Sequence, residues 1–150
     1  MKLAEALLLR ADQQKKLVSL RERIGKNAVC QQGDQPHEDP NDLIKEAFQV
    51  LGEFEDLVSR INSANAVNKI HDGRTITQAI AARETLGRQH SILQHAITSS
   101  QQTLNRYGMS EIKWVSQVKV ASLQKQLEDV AQKIRGLNVA IQETNWKVEI

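Results

Sequence analysis

A chain of 150 residues, 40% hydrophobic and 25% charged, has the size of one domain with a buried core. Its five aromatics, two prolines and seven glycines fall short of the aromatic and turn density of an all-β sandwich or barrel, so a helical protein is expected. The single cysteine, Cys30, excludes an intrachain disulfide and a multi-cysteine zinc site, and no apolar run fits a transmembrane helix or a signal peptide. The cytoplasm is the expected location.

Charge is balanced overall, at a formal +2, but not locally. Lys2 to Asn27 carries seven basic and three acidic residues, whereas the stretch from Ala28 to Asp42 carries Asp34, Glu38, Asp39 and Asp42 with no Lys or Arg. This separation predicts pairing within the chain or between subunits. No run of five like charges suggests a nucleic-acid arm.

The first segment has helical spacing of a rough kind, with Leu3, Leu7, Arg10, Gln14, Leu17, Arg21 and Ile24 on the stripe and Ala4, Leu8, Ala11 and Val18 beside it. Gly33, Pro36 and Pro40 mark a loop from about Val29 to Pro40, with Asp39 as cap and Pro40 at the first helical position. The second helix then reads Leu43, Ala47, Val50, Phe54, Leu57, Ile61, Ala64. Ile44, Leu51 and Val58 flank it, which makes an apolar face wider than a two-residue seam, and that face must be buried. Asn62, Asn65 and Asn68 predict its fading, Asp72-Gly73 a turn, and Thr75 or Thr77 the cap of a third helix.

The third stripe runs Ile76, Ala79, Arg83, Leu86, His90, Leu93, Ile97, Ser100, Leu104, and the region from Asn105 to Ser110 closes it. Ile112, Trp114, Val118 and Val120 alternate with polar residues and predict a short strand. The fourth helix, Val120, Leu123, Leu127, Val130, Ile134, Leu137, Ile141, would be about 22 residues and roughly 33 Å long. Trp146, Val148 and Ile150 then alternate in a strand-like tail. The two extended pieces leave this helix at opposite ends, so each packs on its own loop or the tail joins a neighbouring copy.

Arg83 and His90 on an inward stripe are the sharpest anomaly, because a charge there must be paired or reach water. One reading is a polar pocket that also involves Arg10, Gln14, Arg21 and Glu53 or Glu55. The other is a subunit interface or core edge, with packed stems and solvated heads. No carboxylate stands three residues before His90 or His95, as a di-metal helix would need, and His37-Glu38-Asp39 reads as a solvated acidic loop. No metal or other cofactor is expected, and Cys30 has no histidine at a diagnostic spacing. Asp72-Gly73-Arg74-Thr75 resembles an anion-friendly turn before a helix but lacks the second glycine and the lysine of a P-loop. Arg106 to Lys119, with Tyr107, Lys113 and Trp114, is too minor a basic-aromatic patch to predict nucleic-acid binding. Stripes that bury one another argue against membrane action.

Residues scattered nearly end to end carry a family resemblance: Lys2-Leu3-Ala4-Glu5-Ala6-Leu7 with Arg10 and Asp12, Leu20-Arg21-Glu22-Arg23, Arg60-Ile61-Asn62 with Asn65, Asp72-Gly73-Arg74-Thr75, Ala82-Arg83-Glu84, Ser110-Glu111-Ile112-Lys113 and Asn145-Trp146. In these the chain resembles a bacterial family of about this length without established function, some members of which carry the label septicolysin. The resemblance implies a helical bacterial protein, and the label implies membrane lysis. It also implies a shared site lined by Arg60, Asn62, Asn65, Arg83, Glu111 and Lys113, with loop bracing by side chain to backbone hydrogen bonds as the alternative.

The sequence thus predicts an all-α protein in a single domain over residues 1–150. It is a mainly antiparallel bundle of four long helices with strand-like segments near 112–118 and 146–150. The expected role is that of a non-enzymatic, homo-oligomeric interaction or scaffold protein. The alternatives are a small-ligand or anion site around Arg21, Arg83 and His90, and a membrane-active protein.

Overall fold

Apolar residues at intervals of three and four wind into helices because that spacing puts them on one side of a 3.6-residue turn. The computed structural model describes residues 1–101 and 114–150. It contains four long helices, α1 (Leu3–Asn27), α2 (Pro40–Val67), α3 (Ile76–Gln101) and α4 (Val120–Lys147). The all-α architecture is the expected one, and no strand forms among the described residues. The chain divides into two compact units, Met1–Lys69 with Gln142–Ile150, and Ile70–Ile141.

The first unit is organised by the α1–α2 hairpin. Leu20, Leu43 and Val50 are buried together, with Leu17, Ile24 and Ala47 packed against them. The ion pairs Lys16–Glu46 at 2.8 Å and Arg23–Glu38 run in opposite residue order, so the two helices are antiparallel. These pairs are the intrachain outcome of the charge separation between the first helix and the acidic stretch after it. The inner stripe of α1 differs from expectation by one residue in two places. Gln14 and Arg21 are exposed, Leu20 is fully buried, and Gln13 is half-buried. The physical reason is that a short contact with α2 selects Leu17, Leu20 and Ile24, and this spacing leaves Arg21 outside.

The connection between α1 and α2 is pinned from both sides. Buried Asn27 donates to the Arg23 carbonyl at 2.9 Å and accepts from the Glu38 amide at 3.1 Å, while Arg23 grips the Glu38 carboxylate with Nε at 2.9 Å and with Nη2. Gly33, at φ +96°, makes the turn that a side chain would strain. The Asp39 side chain then accepts from the Asn41 amide at 2.8 Å and Pro40 opens α2, as its sequence dictates. The expected fading at Asn62 and Asn65 does not occur. Apolar Ile61 and Ala64 are buried on either side, and the helix ends at Asn68, whose side chain donates to the Ala64 carbonyl at 2.9 Å.

The tail requires a correction. Trp146 and Lys147 are helical, giving α4 28 residues and about 42 Å, because its stripe continues through Ala140, Ile141 and buried Asn145. The extended part is only Val148 to Ile150, and its partner is the chain's own beginning. Leu3 N donates to Val148 O and Ile150 N to Met1 O, each at 2.9 Å, and Lys2 Nζ meets Glu149 at 2.6 Å. A single antiparallel bridge, Lys2 to Glu149, is therefore made within one chain, and the tail does not need a neighbouring copy.

In the second unit, Ile70 N donates to Arg74 O at 2.9 Å and Gly73, at φ +90°, turns the chain. Thr75 and Gln78 then form a reciprocal capping box, Gln78 N to Thr75 Oγ1 at 3.2 Å and Thr75 N to Gln78 Oε1 at 2.9 Å. Of the expected strand near 112–118, residues 112 and 113 lie outside the described residues. Trp114 to Val118 form no strand, since Ser116 Oγ bonds the Val118 carbonyl at 2.9 Å and folds the segment on itself.

Leu20 is the centre of the hairpin contact. Leu20→Ala is expected to cost about 2–5 kcal/mol of unfolding free energy, measured by urea denaturation, with the loss reported by both helices.

Candidate functional site

Helix α2 has a second apolar side. Ile44, Phe48 and Leu51 are 36%, 69% and 46% exposed, while Leu43, Val50, Leu57 and Ile61 are buried. The steps 44, 48, 51 and onward to Glu55, Val58 and Asn62 follow one helical stripe, beside the face that packs on α1 and about a quarter-turn round the helix from it. The wide face expected to be buried is thus only partly covered among the described residues. One α1-sized contact cannot shield both the 43–47–50 row and the 44–48–51 row. Gly52, one turn after Phe48, has open space above it, with no atom within 4 Å of where a side-chain carbon would sit. A glycine inside an exposed helix costs about 1 kcal/mol relative to alanine, and among the described residues no contact explains it, at Gly52 as at Gly25 and Gly87. Lys45, paired with Asp42 at 3.0 Å, and Asp56 flank the row.

An open cleft of about 330 Å³, with apolar and polar walls, lies in the second unit, lined by His71, Asp72, Arg74, Leu86, Lys133, Gly136, Leu137 and Ala140. Its rim is built by the turn before α3. Asp72 Oδ1 accepts from the Arg74 amide at 3.0 Å and Oδ2 from Arg74 Nε at 2.9 Å. These side-chain and backbone hydrogen bonds from Arg74 hold the Asp72 carboxyl below its usual range, and the same pairing raises Arg74. Sequence reasoning noticed the turn but missed the cleft, because Lys133 and Gly136 lie about sixty residues away.

The residues singled out by sequence fall in two groups. Arg21, Arg60, Asn62 and Asn65 belong to the first unit, where the first three are exposed and Asn65 is half-buried. Arg83 and His90 belong to the second, both half-buried on α3, and Arg83 Nη1 donates to Asn138 Oδ1 at 3.2 Å. Glu111 and Lys113 lie outside the described residues. Among the described residues no group of three or more His, Cys, Asp or Glu side chains converges as metal ligands would. Cys30 is exposed and free. No described helix is long and apolar enough to cross a membrane.

Residues 10–150 match a family described as "Family of unknown function (DUF6847)". The chain is also similar to a functionally unknown conserved protein from Corynebacterium diphtheriae, known by its crystal structure. The TM-score is 0.92 at 32% identity, covering 100% of this chain and 98% of that one. The comparison with curated proteins finds no match.

The Asp72–Arg74 pair sets a pH dependence with a definite sign. A carboxyl depressed in the folded state stabilises the turn above its unfolded value, about 3.9 for Asp, and loses that contribution as pH falls through the folded value. Exchange of the Arg74 amide is expected to stay protected from about pH 8 down to about pH 5 and to accelerate beyond its intrinsic acid trend below about pH 4. Asp72→Asn should remove that extra acceleration, as followed by NMR.

Proposed function

The chain belongs to DUF6847, a family of unknown function, and on that premise we propose that it is a non-enzymatic interaction protein that pairs with a second copy through the outer face of α2. The observation that carries this reading is the exposed Ile44–Phe48–Leu51 row beside an unfilled Gly52. Neighbouring apolar side chains exposed along one row, unlike apolar side chains exposed singly, suit an interaction site. The row is self-complementary. In an antiparallel pairing about a two-fold level with Val50, Phe48 of each copy lies level with Gly52 of the other, so a bulky side chain meets the gap. Lys45 then falls on the same flank as Asp56 of the second copy. A single patch that supplies both knob and hole suits an isologous dimer.

The bacterial relative and the free, exposed Cys30 fit a reducing, cytoplasmic setting. A ligand site at Arg21, Arg83 and His90 has less in its favour, because Arg21 is exposed and Arg83 is engaged by Asn138. The septicolysin label remains a third reading. Co-sedimentation of the full chain with liposomes, without dimerisation, would favour it over pairing.

Sedimentation equilibrium tests the pairing. The full chain is expected to reach dimer mass, and Phe48→Asp to raise the dissociation constant at least about tenfold, or about 1.4 kcal/mol, with helix content unchanged by circular dichroism. Ile92→Asp, on exposed apolar surface of α3, should leave the dimer intact. A full chain that stays monomeric, or a Phe48→Asp variant that pairs as before, contradicts the proposal.

A further inference from the structure

The cleft of the second unit is independent of the pairing face, since all its lining residues fall within Ile70–Ile141. Its chemistry divides by height. The floor is Leu86, Leu137 and Ala140, and the rim carries His71, Asp72, Arg74 and Lys133. Lys133 is exposed and belongs to no ion pair found among the described residues. Arg74 spends Nε and Nη2 on Asp72, which fixes the guanidinium plane and leaves the Nη1 edge available. Among Asp72, Arg74 and Lys133, two cations against one carboxylate leave one excess positive charge at the rim.

The second observation is Gly136. It sits inside α4, where glycine weakens a helix, and a side-chain carbon placed there would meet no atom within 4 Å. The same open space is found at Gly25, Gly52 and Gly87, so what distinguishes Gly136 is its place in the cleft. Any larger side chain there would take up the cleft's space. A volume of about 330 Å³ lies at the small end of the range for small-molecule sites, which pair an apolar lining with a few polar groups that set orientation.

We propose that this cleft binds a small organic monoanion, a carboxylate on an apolar body, with the body over Gly136, Leu137 and Leu86 and the carboxylate between Arg74 and Lys133. Asp72 makes the site selective. It orients Arg74 for the ligand and leaves the rim a single excess positive charge, which one carboxylate balances, while phosphate lacks the apolar body that the floor would cover.

NMR titration of the full chain with 2-naphthoate tests this, with 2-naphthalenemethanol and inorganic phosphate as single-feature controls. The expected result is saturable shifts of the amides of residues 72–75 and 136–140 with naphthoate and not with either control. Lys133→Gln should weaken binding at least about fivefold by removing one rim cation. Gly136→Leu should abolish binding by filling the cleft while keeping or improving helix stability, so its loss of binding is not a loss of fold. The proposal is overturned if naphthoate gives no saturable shift, if either control binds equally well, or if binding survives both substitutions unchanged.

Discussion

Helix α2 carries two apolar rows, and a single neighbouring helix can shield only one. The row through Leu43, Ala47 and Val50 meets Leu17, Leu20 and Ile24 of α1 and forms the core of the hairpin. The row through Ile44, Phe48 and Leu51 lies beside it and is left partly exposed. Full burial of a large apolar side chain is worth about 1.5–3 kcal/mol, so covering the parts of Ile44, Phe48 and Leu51 still exposed would contribute only a fraction of that per residue, most of it from Phe48. That asymmetry ties the sequence pattern of α2 to the proposed pairing.

Polar contacts in this molecule fix geometry more than they hold it together. Arg23, Asn27 and Glu38 determine where the loop after α1 returns, and Asp39 and Pro40 determine where α2 begins. Exposed ion pairs of this type are individually weak because water and salt screen them. Their effect is to set the register in which Leu20 meets Leu43 and Val50. The turn at Asp72 to Thr75 works in the same way. Asp72 aligns Arg74, and the capping box starts α3 at Ile76.

Much of this was legible in the sequence, for reasons that lie in particular residues. The stripes of α2 and α4 are apolar at every position, so their helical period could not be mistaken, and Asp39-Pro40 and Thr75 mark starts by local chemistry alone. The end of α4 misled because Trp146, Val148 and Ile150 alternate like a strand. Buried Asn145 kept the helical stripe going without looking apolar. On α1, a stripe that mixes Arg and Gln with Leu cannot fix its own inner face, and the contact with α2 chose Leu20 over Arg21. The cleft was hidden because Lys133 and Gly136 are ordinary helix residues until the fold brings them to the Asp72–Arg74 turn. The incomplete cover of α2 was hidden because hydropathy reports which residues seek burial, not whether the fold covers them.

The most direct test of the two-row account is the solvent accessibility of α2 methyl groups to a soluble paramagnetic agent, measured by NMR in dilute and in concentrated solution. The account predicts that the methyls of Leu43 and Val50 stay shielded throughout, whereas those of Ile44 and Leu51 are broadened in dilute solution and become shielded as concentration rises. Methyls of Ile44 and Leu51 that are protected already at the lowest concentration, or that remain accessible at the highest, would contradict it.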